Sequence, residues 1–191
     1  MANVTKGNPL YVDTEGVIST IPLTIKKIVL KPSATGDAAT FTYWVESDTP
    51  LTTYGTRADK TVTITASSGT FASTTNFETD SIDVDQIFKV VKSSTGNNIG
   101  TWQIASNADD NTITVDKPAT VLGGTPTVTD GTSSILTWYV WDTRYLLTIK
   151  GSGVTNDTGL VQVDFPNGGF RVPNLAMNTL STSAVLYIYL E

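Results

Sequence analysis

The residues best suited to chemistry lie in Phe77-Glu78-Thr79-Asp80-Ser81-Ile82-Asp83-Val84-Asp85, which carries the densest group of carboxylates in the chain. Paired carboxylates can hydrolyse a glycosidic bond when held several ångströms apart across a sugar cleft, and an Asp-x-Asp spacing can bind calcium. The glycine and distal glutamate of a calcium-binding hand are absent, so the expectation is a solvated acidic turn holding no metal. With no histidine and no cysteine in the chain, Ser-His-Asp and Cys-His nucleophiles, the commonest metal ligand and any disulfide framework are removed together. Gly123-Gly124 and Gly168-Gly169 lack the helix and lysine that follow a phosphate loop, and are expected to serve turns. The four tryptophans, Trp44, Trp102, Trp138 and Trp141, and the seven tyrosines could stack on sugars. Trp44, Trp102 and Trp138 fall in strand candidates, where a core or subunit-interface role is the simpler one. The chain is therefore expected to have no catalytic site and no cofactor.

The elements that would position such residues are strands. Only 16% of the residues are charged, below the ~25% of typical soluble domains. Threonine, serine and asparagine supply the polarity instead, and β-branched threonine suits a pleated, half-exposed surface. The net charge of −6 argues against a nucleic-acid partner, which needs clustered cations to displace counterions. The densest basic spot is Lys26-Lys27 with Lys31, expected on a solvated strand edge. No stretch is apolar enough for a signal peptide or a membrane span, so a soluble protein made in the cytoplasm is expected, with no membrane partner. The glycosylation patterns at Asn3-Val4-Thr5 and Asn156-Asp157-Thr158 are attributed to chance in a threonine-rich chain.

Period-two alternation recurs and no sustained helical stripe is present. Leu23 and Ile25 alternate, the phase slips at Lys26-Lys27, and Ile28 and Leu30 resume on the same face, which predicts a β-bulge. Pro32 to Asp37 carries turn chemistry, and the strand of Phe41, Tyr43 and Val45 after it is expected to form a hairpin with Leu23–Leu30. Strands are also predicted over 62–66, 87–91, 99–104, 113–115, 135–141, 145–149 and 160–163, with 120–134 as a loop or linker. In the last strand, Val185, Tyr187 and Tyr189 alternate with Leu186, Ile188 and Leu190. A strand apolar on both faces is expected to be buried on both, between sheets or against a partner chain, which makes these six residues the candidate interface.

The predicted fold is all-β: a β-sandwich or barrel host domain, residues 1–56 plus 134–191, interrupted by a small β-barrel or sandwich module over 57–133. Exposed turns such as Asp48-Thr49-Pro50 are where insertions succeed.

Three stretches carry a resemblance. Asn8-Pro9-Leu10-Tyr11-Val12-Asp13-Thr14, with Ile25-Lys26-Lys27-Ile28-Val29-Leu30 and Ser33-Ala34-Thr35-Gly36-Asp37, resembles the opening of small virion proteins of tailed bacteriophages. Val163-Asp164-Phe165-Pro166-Asn167-Gly168-Gly169, with Val185-Leu186-Tyr187-Ile188-Tyr189-Leu190, looks like their closing pattern. Between them, Asp85-Gln86-Ile87-Phe88-Lys89-Val90, Asn97-Asn98-Ile99-Gly100-Thr101-Trp102-Gln103-Ile104-Ala105-Ser106 and Asn111-Thr112-Ile113-Thr114-Val115 resemble a widely reused phage β module. In that module a glycine usually stands where this chain has Val84. The resemblance implies a homo-oligomeric capsid decoration or cement protein located in the virion and bound to the major capsid protein or other virion proteins. The alternative is a receptor- or carbohydrate-binding tail or fibre protein.

Overall fold

The computed structural model describes residues 7–45, 53–57, 62–73, 82–109, 111–115, 121–124, 127–153 and 159–191. Among them there is no helix. In chain order the first strands are β1 (Leu10–Val12), β2 (Gly16–Ser19), β3 (Leu23–Lys31), β4 (Ala38–Trp44), β5 (Thr53–Arg57) and β6 (Val62–Thr65). They continue with β7 (Thr70–Ser73), β8 (Ile87–Ser93), β9 (Gly100–Asp109), β10 (Thr112–Val115), β11 (Gly131–Ser133) and β12 (Leu136–Trp141). The last are β13 (Thr143–Lys150), β14 (Val161–Asp164), β15 (Phe170–Val172), β16 (Leu175–Leu180) and β17 (Val185–Leu190). The chain forms two compact units, one of Met1–Tyr43, Ala119–Gly124 and Arg144–Glu191, the other of Trp44–Pro118 and Thr125–Thr143.

The first unit is a sandwich. One sheet has the order β1-β17-β3-β14, with β15 also on β3, and the other runs β13-β4-β16-β2. Their inner faces share one core: Leu10, Ile25, Ile28, Leu30, Leu186 and Ile188 from the first sheet, Ile18, Phe41, Leu175 and Met177 from the second. The bulge lies where the phase of β3 slips. Tyr189 pairs with Lys27 and Leu190 with Ile25, so one step on β17 spans two on β3 and Lys26 is the extra residue. That step returns Ile25 to the buried face.

The expected hairpin of β3 with β4 does not form. β3 pairs with β17, β14 and β15, whereas β4 lies between β13 and β16 in the other sheet. The cause lies in the 32–37 turn, which crosses between sheets and so sets Ile28 and Leu30 opposite Ala39 and Phe41 within the core. Asp37 holds that crossing. Its Oδ2 accepts from the backbone N–H of Ser33 at 2.6 Å and of Ala34 at 2.8 Å, and from the Ser33 hydroxyl at 2.9 Å. Its backbone carbonyl accepts from Gly151 N–H at 2.7 Å, fixing the end of β13. Ser181 ties in the turn before β17: its N–H donates to Ala38 O at 3.0 Å and its hydroxyl accepts from Ala38 N–H at 2.9 Å.

The second unit is one sheet of eight strands, β11-β6-β7-β10-β9-β8-β12-β5. It curls on itself. Phe71 on β7 and Phe88 on β8 are three strand steps apart, about 14 Å on a flat sheet, yet their ring centroids lie 5.2 Å apart. Trp102, Trp138, Val62, Ile64, Ile113 and Val140 complete that core. At one end the sheet is drawn shut by side chains: the Ser93 hydroxyl donates to Ser133 Oγ at 3.1 Å, and the Asn98 amide pairs with both backbone groups of Thr129 at 2.6 and 3.1 Å. In the turn before β8, Asp85 takes the left-handed conformation with φ 72°. Val84 does not, so no glycine is required at that position.

Two expectations about boundaries change. β12, expected in the host, pairs along its length with β8 and β5 and belongs to the second unit, so the units divide at 43/44 and 143/144, with 119–124 returning to the first unit, rather than at 56/57 and 133/134. Within the expected 120–134 loop, Gly131–Ser133 forms β11 on β6, while Ser19 and Leu122 form a parallel bridge in the first unit.

Hydrogen bonds to the Asp37 carboxylate, the Ala34 N–H foremost, hold its pKa below the usual aspartate value, against the opposing effect of burial. Its contribution is complete above the unfolded pKa of about 3.9 and is lost as pH falls through the lower folded value. Urea unfolding at pH 7 should show Asp37→Ala less stable by about 2–3 kcal/mol. In an acid titration Asp37→Asn should remove the part of the stability loss that wild type shows below pH ~4; identical acid profiles would refute this assignment.

Glycine at 69 is a second constraint. Its φ is +67°, and a Cβ there would stand 2.5 Å from the Val115 carbonyl oxygen. Gly69→Ala should therefore cost about 1–3 kcal/mol, read as faster amide exchange across β6, β7 and β10.

Candidate functional site

The outer face of the five-stranded sheet gathers aromatic and cationic side chains from strands far apart in sequence. Residues directly opposite in an antiparallel ladder share a face. Tyr11 pairs with Tyr187, Tyr187 with Val29, and Val29 with Gln162, giving one row across four strands. The next row is Tyr189, Lys27 and Asp164, and Val185 stands opposite Lys31. The rings of Tyr11 and Tyr187 meet edge-on with centroids 5.7 Å apart, and Lys27 Nζ lies 4.6 Å from the centroid of Tyr189. Partial burial, and next the Asp13 carboxylate, push the Tyr11 phenol above its ordinary pKa, so it is a neutral hydrogen-bonding group at neutral pH.

At the foot of this face is an open cleft of about 440 Å³. Thr24, Arg171 and Glu191 line one part of it, and Ile21, Pro22, Leu122 and Leu190 supply its apolar surface. Leu122 is set by two backbone bonds, its own N–H to Ile18 O at 2.9 Å and Thr20 N–H to its carbonyl at 2.8 Å. Gly123 allows this approach, because a Cβ there would lie 2.5 Å from Thr20 Oγ1 and 2.6 Å from Ile21 Cγ2. Leu190 is fixed by the Asn8 side-chain amide, which accepts from its N–H at 2.8 Å and donates to its carbonyl at 2.7 Å. Lys26 Nζ lies 3.1 Å from Glu191 Oε1 and donates to Gly168 O at 2.8 Å.

The six candidate interface residues separate by parity. Leu186 and Ile188 are fully buried in the unit's own core, so they have no surface to offer a partner. Val185, Tyr187 and Tyr189 lie half-buried on the outer face, and Leu190 packs at the core's rim and lines the cleft. The expectation of burial on both faces is thus met on one face only within the chain itself. Tyr11, Lys27, Ile21, Leu122 and Arg171 were not singled out for the site. The basic cluster of Lys26, Lys27 and Lys31 was the one available signal.

Of the carboxylate stretch, Glu78 and Asp80 lie outside the described residues. Asp83 is exposed, and its backbone N–H donates to Gln86 Oε1 at 2.8 Å, while Gln86 Nε2 donates to Asp142 Oδ1 at 2.7 Å. Among the described residues no three acidic side chains group as metal ligands. All four tryptophans are buried, Trp102 and Trp138 in the second unit's core. No family model, curated protein or solved structure matches the chain.

The parity of β17 is open to direct measurement. Leu186→Ala should cost about 2–5 kcal/mol, whereas Tyr187→Ser should cost about 1 kcal/mol. Comparable losses in chemical denaturation would mean that the outer face is a second core.

Proposed function

We propose that this chain is a non-enzymatic structural protein of a virus particle, a capsid decoration or cement protein that attaches through the outer face of its five-stranded sheet. One observation carries the reading: Tyr11, Tyr187 and Tyr189 converge with Lys27 and Val29 on a rigid sheet face whose opposite side is the core. Tyrosine and arginine are enriched where proteins meet, and a sheet fixed by its own core loses little side-chain or backbone freedom on docking. Support also comes from the resemblance of Asn8–Thr14, Ile25–Leu30 and Val163–Gly169 to phage virion proteins. Those segments form β1, β3 and β14 with its following turn, all in the sheet that bears the face.

The test is stoichiometry. Added in excess to particles that lack it, the purified chain should bind in a fixed ratio to the major shell protein, and Tyr187→Ser with Tyr189→Ser should abolish binding while leaving the fold intact. Binding of only a few copies at the tail, or only to glycans, would replace this reading with a tail or fibre adhesin.

A further inference from the structure

We propose that the cleft at the foot of the tyrosine face binds an extended peptide segment of the partner protein, at a residue bearing a carboxylate beside a large apolar side chain. The proposal rests on the docking reading of the face and names what the face recognises. Its first ground is charge. The Glu191 side-chain carboxylate is already held by Lys26 at 3.1 Å, whereas the Arg171 side chain has no hydrogen bond or ion pair among the described residues. The guanidinium is therefore a cation of the cleft with no ion-pair partner among the described residues. Its planar fork matches a carboxylate with two parallel N–H···O bonds.

The second ground is shape and polarity. A space of about 440 Å³ lies within the range of small-ligand sites and holds a few side chains. Ile21, 47% exposed at the cleft, presents with Leu122 and Leu190 an apolar wall that gains from being covered. That wall is preformed, since Leu122 and Leu190 are each fixed by a pair of hydrogen bonds to their backbone groups. Position supplies the third. Arg171 pairs with Thr24 on β3, three residues before Lys27 in the tyrosine face, so a segment lying along β3 meets both. A polyphosphate is disfavoured by the net charge of −6.

The experiment titrates the isotope-labelled full chain with a capped leucine-aspartate-leucine peptide and its leucine-asparagine-leucine counterpart, following amide shifts. Saturable shifts should centre on residues 21–24, 122, 171, 190 and 191. The aspartyl peptide should bind at least about fivefold more tightly than the asparaginyl one, and Arg171→Glu and Arg171→Gln should both lose this preference while keeping wild-type spectra elsewhere. No saturable binding, equal affinity for the two peptides, shifts centred elsewhere, or an unchanged preference in the Arg171 variants would overturn the proposal. Hexanoate binding as tightly as the aspartyl peptide would also overturn it, by making the cleft a small-carboxylate site. A second arm adds wild type and Arg171→Glu to particles lacking the chain. Loss of binding in the variant alone supports the proposal. Equal binding of both leaves decoration standing and removes the cleft from it, whereas a wild type that takes up the peptide but ignores the particle removes decoration and leaves the cleft.

Discussion

The Asp37 carboxylate is the constraint from which the first unit follows, because it sits where the chain leaves one sheet for the other. Accepting from Ser33 and Ala34 at once, it closes the 32–37 turn so that β4 enters the sheet opposite β3. A hairpin in its place would set β3 and β4 side by side, and the apolar residues of both would then need another layer to cover them. The crossing makes each strand the other's cover. Gly151 and the Ser181 turn, bonded to Asp37 and Ala38, bring β13, β16 and β17 to the same end of the sandwich.

The second unit reaches a closed core by another route. One long sheet curls until residues three strands apart touch, and side chains of Ser133 and Asn98 take over hydrogen bonding where the ladder stops. Curling reduces exposed edges, which otherwise invite pairing with other chains. It also places three bulky aromatic residues, Phe71, Phe88 and Trp102, where a small unit most needs apolar volume.

The proposed docking face depends on the first unit's core. Tyr187 and Val29 are held in their row because Leu186, Ile188, Ile28 and Leu30, on the other side of the same strands, are locked in the core. The bulge at Lys26 has two consequences. It restores the inward phase of β3, and it leaves an extra lysine to hold Glu191 and the 166–169 turn.

Much of this was legible in the amino-acid sequence, because it depends on neighbours along the chain. Alternation marked β3, β8, β9, β10, β12 and β17, the slip at Lys26-Lys27 marked the bulge, and threonine content with the lack of a helical stripe marked the all-β class. The short strands β1, β2, β7, β11 and β15 escaped, since a segment that short barely shows a period, and so did the longer β5 and β16, although β6, β10 and β14 are equally short and were legible. Partner choice escaped as well. Nothing local to Leu23–Trp44 tells whether β3 and β4 pair or face each other, because that is decided by competition from β17, β14, β13 and β16, which lie far along the chain. The same holds for the site. The sequence determined that the last strand is apolar on both sides, but only the ladder with β1 and β3 decided that Leu186 and Ile188 fill a core while Tyr187 and Tyr189 meet Tyr11 and Lys27. Arg171, Leu122 and Leu190 share a cleft because register and backbone hydrogen bonds bring distant segments together, and these are properties of strand pairing that no stretch of sequence contains alone.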